Sequence, residues 1–416
     1  MKKDFIYTLI TNIIVMVSGL LVYKLATLFF SIQGFAEYSL SKRIVSFLYP
    51  IFLLGLGVGI TRYISISLKD KERIKNIMIS SILLVFISSL GVLIIFEVFK
   101  EKFSLLLFGS AEYVFLMFPL AVTIIALLWH SLIYNYYRGK FEIKKANIIQ
   151  LINLGIIPIV VFFISRDVAQ LFIYNGLLVL IISSLIVLYI VIKEKMYKVV
   201  YLNQLIFREM KELFSYNIGR VPGDIGLAAL FSLIPIFVTH LSSVKEGGIV
   251  AFGISLLNLT ASFFATIGVV MLPKIGVLYS EKNYELIKKY MHKILKVSIF
   301  LSLLGVIIFF IFGDNILKMY LGKEIAAQSS VIKIIFLGTV PYVIYVSLRS
   351  IIDAIYTKPY NTINVLVSLL ILLILSLSVY FFYKNYLYII YIFLFSLYIL
   401  AALTLEKILK FVREYG

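Results

Sequence analysis

Residues 67–109, SLKDKERIKNIMISSILLVFISSLGVLIIFEVFKEKFSLLLFG, recur without a gap at residues 280–322, SEKNYELIKKYMHKILKVSIFLSLLGVIIFFIFGDNILKMYLG. At this offset of 213, Ser67, Glu72, Ile74, Lys75 and Met78 fall on Ser280, Glu285, Ile287, Lys288 and Met291. Ile94, Ile95, Phe96, Phe99 and Gly109 fall on Ile307, Ile308, Phe309, Phe312 and Gly322, and upstream Gly34 falls on Gly247. A register kept this long marks a duplicated unit. Apolar runs long enough to cross a bilayer as helices occupy residues 5–31, 38–67, 76–98, 113–137, 146–164, 169–192, 212–240, 249–278, 295–313, 330–353, 360–382 and 386–409. Each half holds six, an even number, so the second copy enters the membrane in the same direction as the first. Parallel repeats of this kind are a transporter architecture.

Composition supports an all-α integral membrane protein with about 12 spans. Hydrophobic residues make up 62% of the 416 and charged residues 14%. Mean hydropathy is +1.04. A water-exposed globule could not cover this much apolar surface, and in lipid each span must satisfy its own backbone hydrogen bonds, which such runs do as helices. The expected division is an N-terminal six-helix lobe at 1–192, a cytoplasmic linker at 193–211 and a C-terminal six-helix lobe at 212–416. The second, seventh and eighth runs exceed the length needed for a core of ~30 Å, so tilts or kinks are expected, with Pro50, Pro222 and Pro235 as kink sites.

The net charge of +18 does not require a nucleic acid. With an even span count both termini share a side; the loops and tails of that side hold 24 Lys and Arg residues, against 7 on the other. The positive-inside rule makes the rich side cytoplasmic. Cysteine is absent, which excludes disulfides and thiolate metal sites. Met1-Lys2-Lys3-Asp4 precedes a full-length span, not a short signal core, so the first helix is expected to be retained. His130, His240 and His292 lie apart, no nucleotide-binding or hydrolase motif occurs, and no loop is large enough to house an enzyme's acids and bases. The expectation is a protein that is not an enzyme and needs no cofactor or metal.

Charges inside spans are costly and mark cavities or partners. Eight cations belong to neither loop nor tail: Lys24, Lys42, Arg43, Arg62, Arg220, Lys274, Lys333 and Arg349. Asp224 is the clearest acid. Asn217, Arg220 and Asp224 are spaced i, i+3, i+7 and share a helix face. An Arg220 to Asp224 pair would make both cheaper to bury, and Pro222-Gly223 between them is a candidate hinge. Gly55, Gly59 and Arg62 share another face, where two glycines admit a close neighbour, so Arg62 is expected to point into protein. Lys274 lies one position from the counterpart of Arg62 at the 213 offset. Arg43 and Lys24 add cations toward the opposite ends of the first two spans, Lys24 with snorkelling to the headgroups as its alternative. Unpaired cations with few acids suit an anionic substrate. Twenty-nine tyrosines offer rings for sugars, although most are expected to be packing or interface residues.

These residues resemble a family. Gly34-Phe35-Ala36-Glu37-Tyr38, Gly55-Leu56-Gly57-Val58-Gly59-Ile60-Thr61-Arg62-Tyr63, Tyr137-Arg138-Gly139-Lys140, Arg220-Val221-Pro222-Gly223-Asp224, Leu272-Pro273 and Arg349-Ser350-Ile351-Ile352-Asp353-Ala354 are similar, in order and spacing, to its landmarks. The family is the polysaccharide-transport branch of the multidrug/oligosaccharidyl-lipid/polysaccharide (MOP) exporter superfamily, the flippases of O-antigen and capsule repeat units. The resemblance implies a V-shaped, two-lobe transporter in the bacterial cytoplasmic membrane. It would move undecaprenyl-pyrophosphate-linked oligosaccharide from the inner to the outer leaflet by alternating access, with proton or sodium coupling as an option. With such a cargo, the in-span residues are expected to supply pyrophosphate and glycan contacts at Arg62, Arg220, Lys274, Arg43 and Lys24, charge tuning at Asp224 and Asn217, a hinge at Pro222 and Gly223, and a cytoplasmic gate at Arg138, Arg349 and Asp353. The lipid II flippases carry two more helices and an arginine-rich first helix, which this chain lacks. Two alternatives are kept: a cation-coupled multidrug antiporter, for which Asp224 speaks, and a membrane glycan polymerase or ligase.

Overall fold

In a computed structural model, which describes residues 2–196, 204–218 and 221–415, the chain is all-helical, as its composition requires. Among the described residues, eleven helices are long and apolar enough to cross a membrane, or twelve if one bent pair forms a single span. The chain divides into two compact units, Met1–Ile225 and Gly226–Gly416.

In the first unit α1 (Lys2–Phe29) is followed by α2 (Ile32–Leu53), α3 (Leu56–Ile66), α4 (Lys71–Val98) and α5 (Lys100–Phe108). Then come α6 (Met117–Gly139), α7 (Ile143–Leu151), α8 (Ile157–Val160), α9 (Val168–Lys193) and α10 (Gln204–Ile218). The helix α11 (Val221–Leu241) begins at the boundary, and the second unit continues with α12 (Val244–Ser280), α13 (Tyr284–Leu321), α14 (Lys323–Ala326), α15 (Ser329–Phe336), α16 (Thr339–Ile355), α17 (Tyr360–Ser378) and α18 (Tyr386–Glu414).

The second span is the bent pair, α2 and α3 meeting at 47°. Pro50 sits inside α2, but the break falls a turn later, where Leu54 and Gly55 take left-handed φ of 52° and 71°. Glycine reaches that region without a Cβ clash, so Gly55 lets the chain turn into α3. Pro222 occupies the first turn of α11, where a missing N–H leaves no intrahelical bond unmade. The seventh apolar run, expected from residue 212, is apportioned differently: 212–218 complete α10, and the membrane-length helix starts at Val221.

A central helix organises each unit. In the first, α6 is buried along most of its length against α9, α3, α4, α7 and α2. Gly176 on α9 lets that helix approach so closely that a Cβ there would lie 3.0 Å from the Thr123 backbone nitrogen. In the second, α16 plays the same part against α12, α13, α18 and α17. Serines point inward on α4 and α13: Ser80, Ser81, Ser89, Ser298 and Ser302 are buried. Phe86, Ile87, Ile94, Phe300 and Ile311 point out and are exposed. Lipid tails are as apolar as leucine, so helices here associate through small and hydroxyl residues, while the large apolar side chains face the bilayer.

The duplication extends to helix caps. The Asp70 carboxylate accepts from the Arg73 N–H at 3.0 Å, and at the same position in the second copy the Asn283 carbonyl accepts from the Leu286 N–H at 3.2 Å. Replacing a capping side chain by alanine costs about 1 kcal/mol. Asp70→Ala and Asn283→Ala should each lower the thermal unfolding midpoint of the purified chain, while Asp70→Asn leaves it near the wild-type value.

Candidate functional site

Arg62, expected from sequence to point into protein, is instead exposed on α3, and its position is built from below. Asn217 near the end of α10 is fully buried on Gly55, just before α3, and Gly59 within it. A Cβ on Gly59 would lie 2.5 Å from Asn217 Nδ2 and 2.6 Å from Oδ1; one on Gly55 would lie 3.2 Å from Asn217 Cβ. Only the absence of side chains lets α10 lie this close. The joint then places Tyr216, one residue earlier, beneath Arg62, whose guanidinium carbon sits 4.4 Å from the ring centroid. Tyr63 meets Tyr216 edge to face at 5.7 Å and 88°.

A second arginine nearby is spoken for. Arg73 at the start of α4 donates from Nε to Glu209 Oε1 and from Nη2 to Glu212 Oε2, both at 3.1 Å. Its charge is therefore answered by two carboxylates, and the two bonds clamp α10 onto α4. Arg62 forms no ion pair among the described residues.

The second unit holds a comparable arrangement. Lys274 on α12 is exposed, with Nζ 4.1 Å from the Tyr290 ring centroid, and forms no ion pair among the described residues. In each unit, then, one of the in-span cations read from sequence rests on a tyrosine face of another helix, an attraction worth ~0.5–1 kcal/mol when exposed. Neither Tyr216 nor Tyr290 was singled out from sequence, because tyrosine is abundant and the ring that supports each cation comes from another helix.

The remaining candidates are dispersed. Arg43 on α2 is 9% exposed and Lys24 on α1 is half-buried. Lys42, beside Arg43, lies 4.4 Å over the Tyr23 ring. Arg220 lies outside the described residues. Pro222 and Asp224 are exposed on the first turn of α11, and Gly223 between them is partly covered. Arg138 at the end of α6 is exposed 5.4 Å over Tyr134. Just beyond it, burial disfavours the Lys140 ammonium, but the Glu194 carboxylate at 2.9 Å and the Tyr136 hydroxyl outweigh that and raise its pKa. On the second unit Asn361 Nδ2 donates at 2.7 Å to both the Arg349 main-chain carbonyl and Asp353 Oδ1, while the Arg349 guanidinium lies 5.9 Å over the Tyr345 ring. Lys333, an in-span cation from sequence, is paired with Asp314 at 2.7 Å.

A family model described as polysaccharide biosynthesis protein matches residues 1–278. The chain belongs to this family. A second model, MatE, matches residues 225–377. Among solved structures, an inward-facing multidrug resistance MATE family transporter of the MOP superfamily is similar at TM-score 0.76 and 13% identity, with 95% of this chain and 94% of that one covered. A MOP superfamily transporter from Pyrococcus furiosus is similar at TM-score 0.65 and 14% identity, with 99% and 96% covered; for that protein, reverse polarity of the binding pocket suggests a different function. At such identities the likeness is one of fold. No curated protein matches the chain. It is a multi-pass membrane protein with the fold of these transporters.

The contact between Asn217 and Gly59 makes a specific claim. Gly59→Ala should destabilise the chain by ~1–3 kcal/mol through overpacking, and Asn217→Ala in the same chain should recover most of it. Thermal unfolding of both single variants and the double variant reads the coupling; an unshifted midpoint for Gly59→Ala would contradict the close approach.

Proposed function

We propose that the chain is a flippase for undecaprenyl-pyrophosphate-linked oligosaccharide, acting from the inner to the outer leaflet of the bacterial cytoplasmic membrane with both termini in the cytoplasm. The observation that carries this reading is the exposed guanidinium of Arg62, fixed on the Tyr216 ring and answered by no carboxylate among the described residues. A planar guanidinium held in one orientation suits bidentate contact with phosphate oxygens. Lys274 on Tyr290 supplies a point charge of the same kind from the second unit. Tyrosine faces beside both cations also suit the apolar faces of sugars. The family match over residues 1–278 supports a substrate from polysaccharide biosynthesis.

The energetics favour export. A pyrophosphate head with about two negative charges moves outward through a potential negative inside, and each charge is worth ~2.3 kcal/mol per 100 mV. With Arg62 and Lys274 each fixed relative to the membrane, the potential alone biases the cycle. In proteoliposomes with equal pH and sodium on both sides, a potassium diffusion potential should speed flipping of a lipid-linked glycan. Arg62→Ala with Lys274→Ala should slow it at least tenfold, since a hydrogen bond to a charged group contributes ~1.5–3 kcal/mol. Flipping that ignores the potential but follows a sodium or proton gradient would overturn the potential-driven account.

A second reading, a cation-coupled multidrug antiporter, is favoured by the MatE match over residues 225–377 and by the exposed carboxylate of Asp224. Asp224→Asn discriminates. An antiporter loses gradient-coupled drug efflux on this change; the flippase reading expects an altered turnover of the lipid-linked glycan and no drug efflux in either form.

A further inference from the structure

The two copies of the repeated helix differ on one face. In the first copy Asn76, Ile79, Ser80 and Leu83 of α4 are buried or partly covered, α10 packs against this helix, and the Ser80 hydroxyl donates to the Ile206 carbonyl at 2.9 Å. At the 213 offset these positions become Lys289, His292, Lys293 and Lys296 of α13, and all four are exposed. A neutral, covered face has become a bare, basic one.

The stripe does not stop at the lysines. Lys289, Lys293 and Lys296 are spaced i, i+4, i+7, and the same helical face continues through Phe300, Leu304, Ile307 and Ile311, all exposed. None of the three lysines forms an ion pair among the described residues, and Glu285, a turn before Lys289, lies at the end away from the apolar stretch. Lys288 is engaged elsewhere, donating to the Tyr415 carbonyl at 2.6 Å. A row of ammonium groups running directly into a row of large apolar side chains matches a molecule with an anionic head and an acyl tail aligned along the helix.

We infer that this face of α13 is a docking site for an anionic phospholipid of the bilayer, its phosphodiester held by Lys289, Lys293 and Lys296 and its acyl chain lying along Phe300, Leu304 and Ile307. An acidic helix, the counterpart of α10, would answer the lysines but leave the exposed apolar continuation without a partner. The assignment stands apart from the flippase reading, because the occupant is a membrane lipid and not the cargo.

The test uses the full chain purified in detergent, with retained lipids counted by native mass spectrometry during titration with phosphatidylglycerol or phosphatidylcholine. Wild type should retain phosphatidylglycerol preferentially. With each lysine near a membrane surface contributing on the order of a fivefold effect, Lys289→Gln, Lys293→Gln and Lys296→Gln together should weaken retention about a hundredfold. The same three positions changed to arginine should keep it, which separates loss of charge from loss of fold. Equal retention of the two lipids by wild type, or undiminished phosphatidylglycerol retention by the glutamine variant, overturns the assignment. So does preferential retention of a lipid-linked pyrophosphate or an acidic peptide in place of phosphatidylglycerol.

Discussion

The close seating of Asn217 on Gly55 and Gly59 is the contact on which the placement of Tyr216 and Arg62 in the first unit depends. Remove either glycine's freedom and α10 must lift away from α3. With the joint in place Tyr216 lies beneath Arg62, Tyr63 braces Tyr216, and Arg73 reaches Glu209 and Glu212. Gly55 serves twice, since its left-handed φ also turns the chain from α2 into α3. One small-residue pair therefore sets the bend of the second span, the seat of a third helix and the direction of a cation.

The two copies of the duplicated unit obey the same packing logic and diverge where they meet different neighbours. Inward serines and outward phenylalanines recur on α4 and α13, as association in lipid favours. The caps Asp70 and Asn283 bond equivalent amides. Yet Ser80 contacts α10 where Lys293 faces outward, and Arg73 with its two glutamates corresponds to Leu286. Duplication conserved what each helix needs to insert and pack, and left the exposed ends free to acquire different partners.

Much of this was legible in the sequence. Apolar runs of membrane length need no tertiary information, and the shared face of Gly59 and Arg62 follows from helical periodicity, but Gly55 stands at the break before that helix and Arg62 is exposed where the sequence reading had it pointing into protein. The break at Leu54 and Gly55 was not placed, because proline signals a lost donor while a left-handed pair of residues leaves no mark beyond one glycine among many. Residues 212–218 read as the start of a span because they adjoin one; their helix is held to α4 by Arg73 and Ser80 and to α3 by the seating of Asn217 on Gly55 and Gly59, all more than a hundred residues away in the chain. Tyr216 and Tyr290 were invisible for the same reason. A cation can be read from one helix, but the ring beneath it belongs to another.

The central claim is that Arg62, held on Tyr216, binds the pyrophosphate of a lipid-linked glycan. Direct binding of undecaprenyl pyrophosphate to the purified full chain tests it with least intervening inference, comparing wild type with Arg62→Ala and with Lys69→Ala, an exposed cation of the neighbouring turn. The account predicts affinity roughly 10- to 100-fold weaker for Arg62→Ala and unchanged for Lys69→Ala. Equal affinity in all three proteins, or equal losses in both variants, would contradict it.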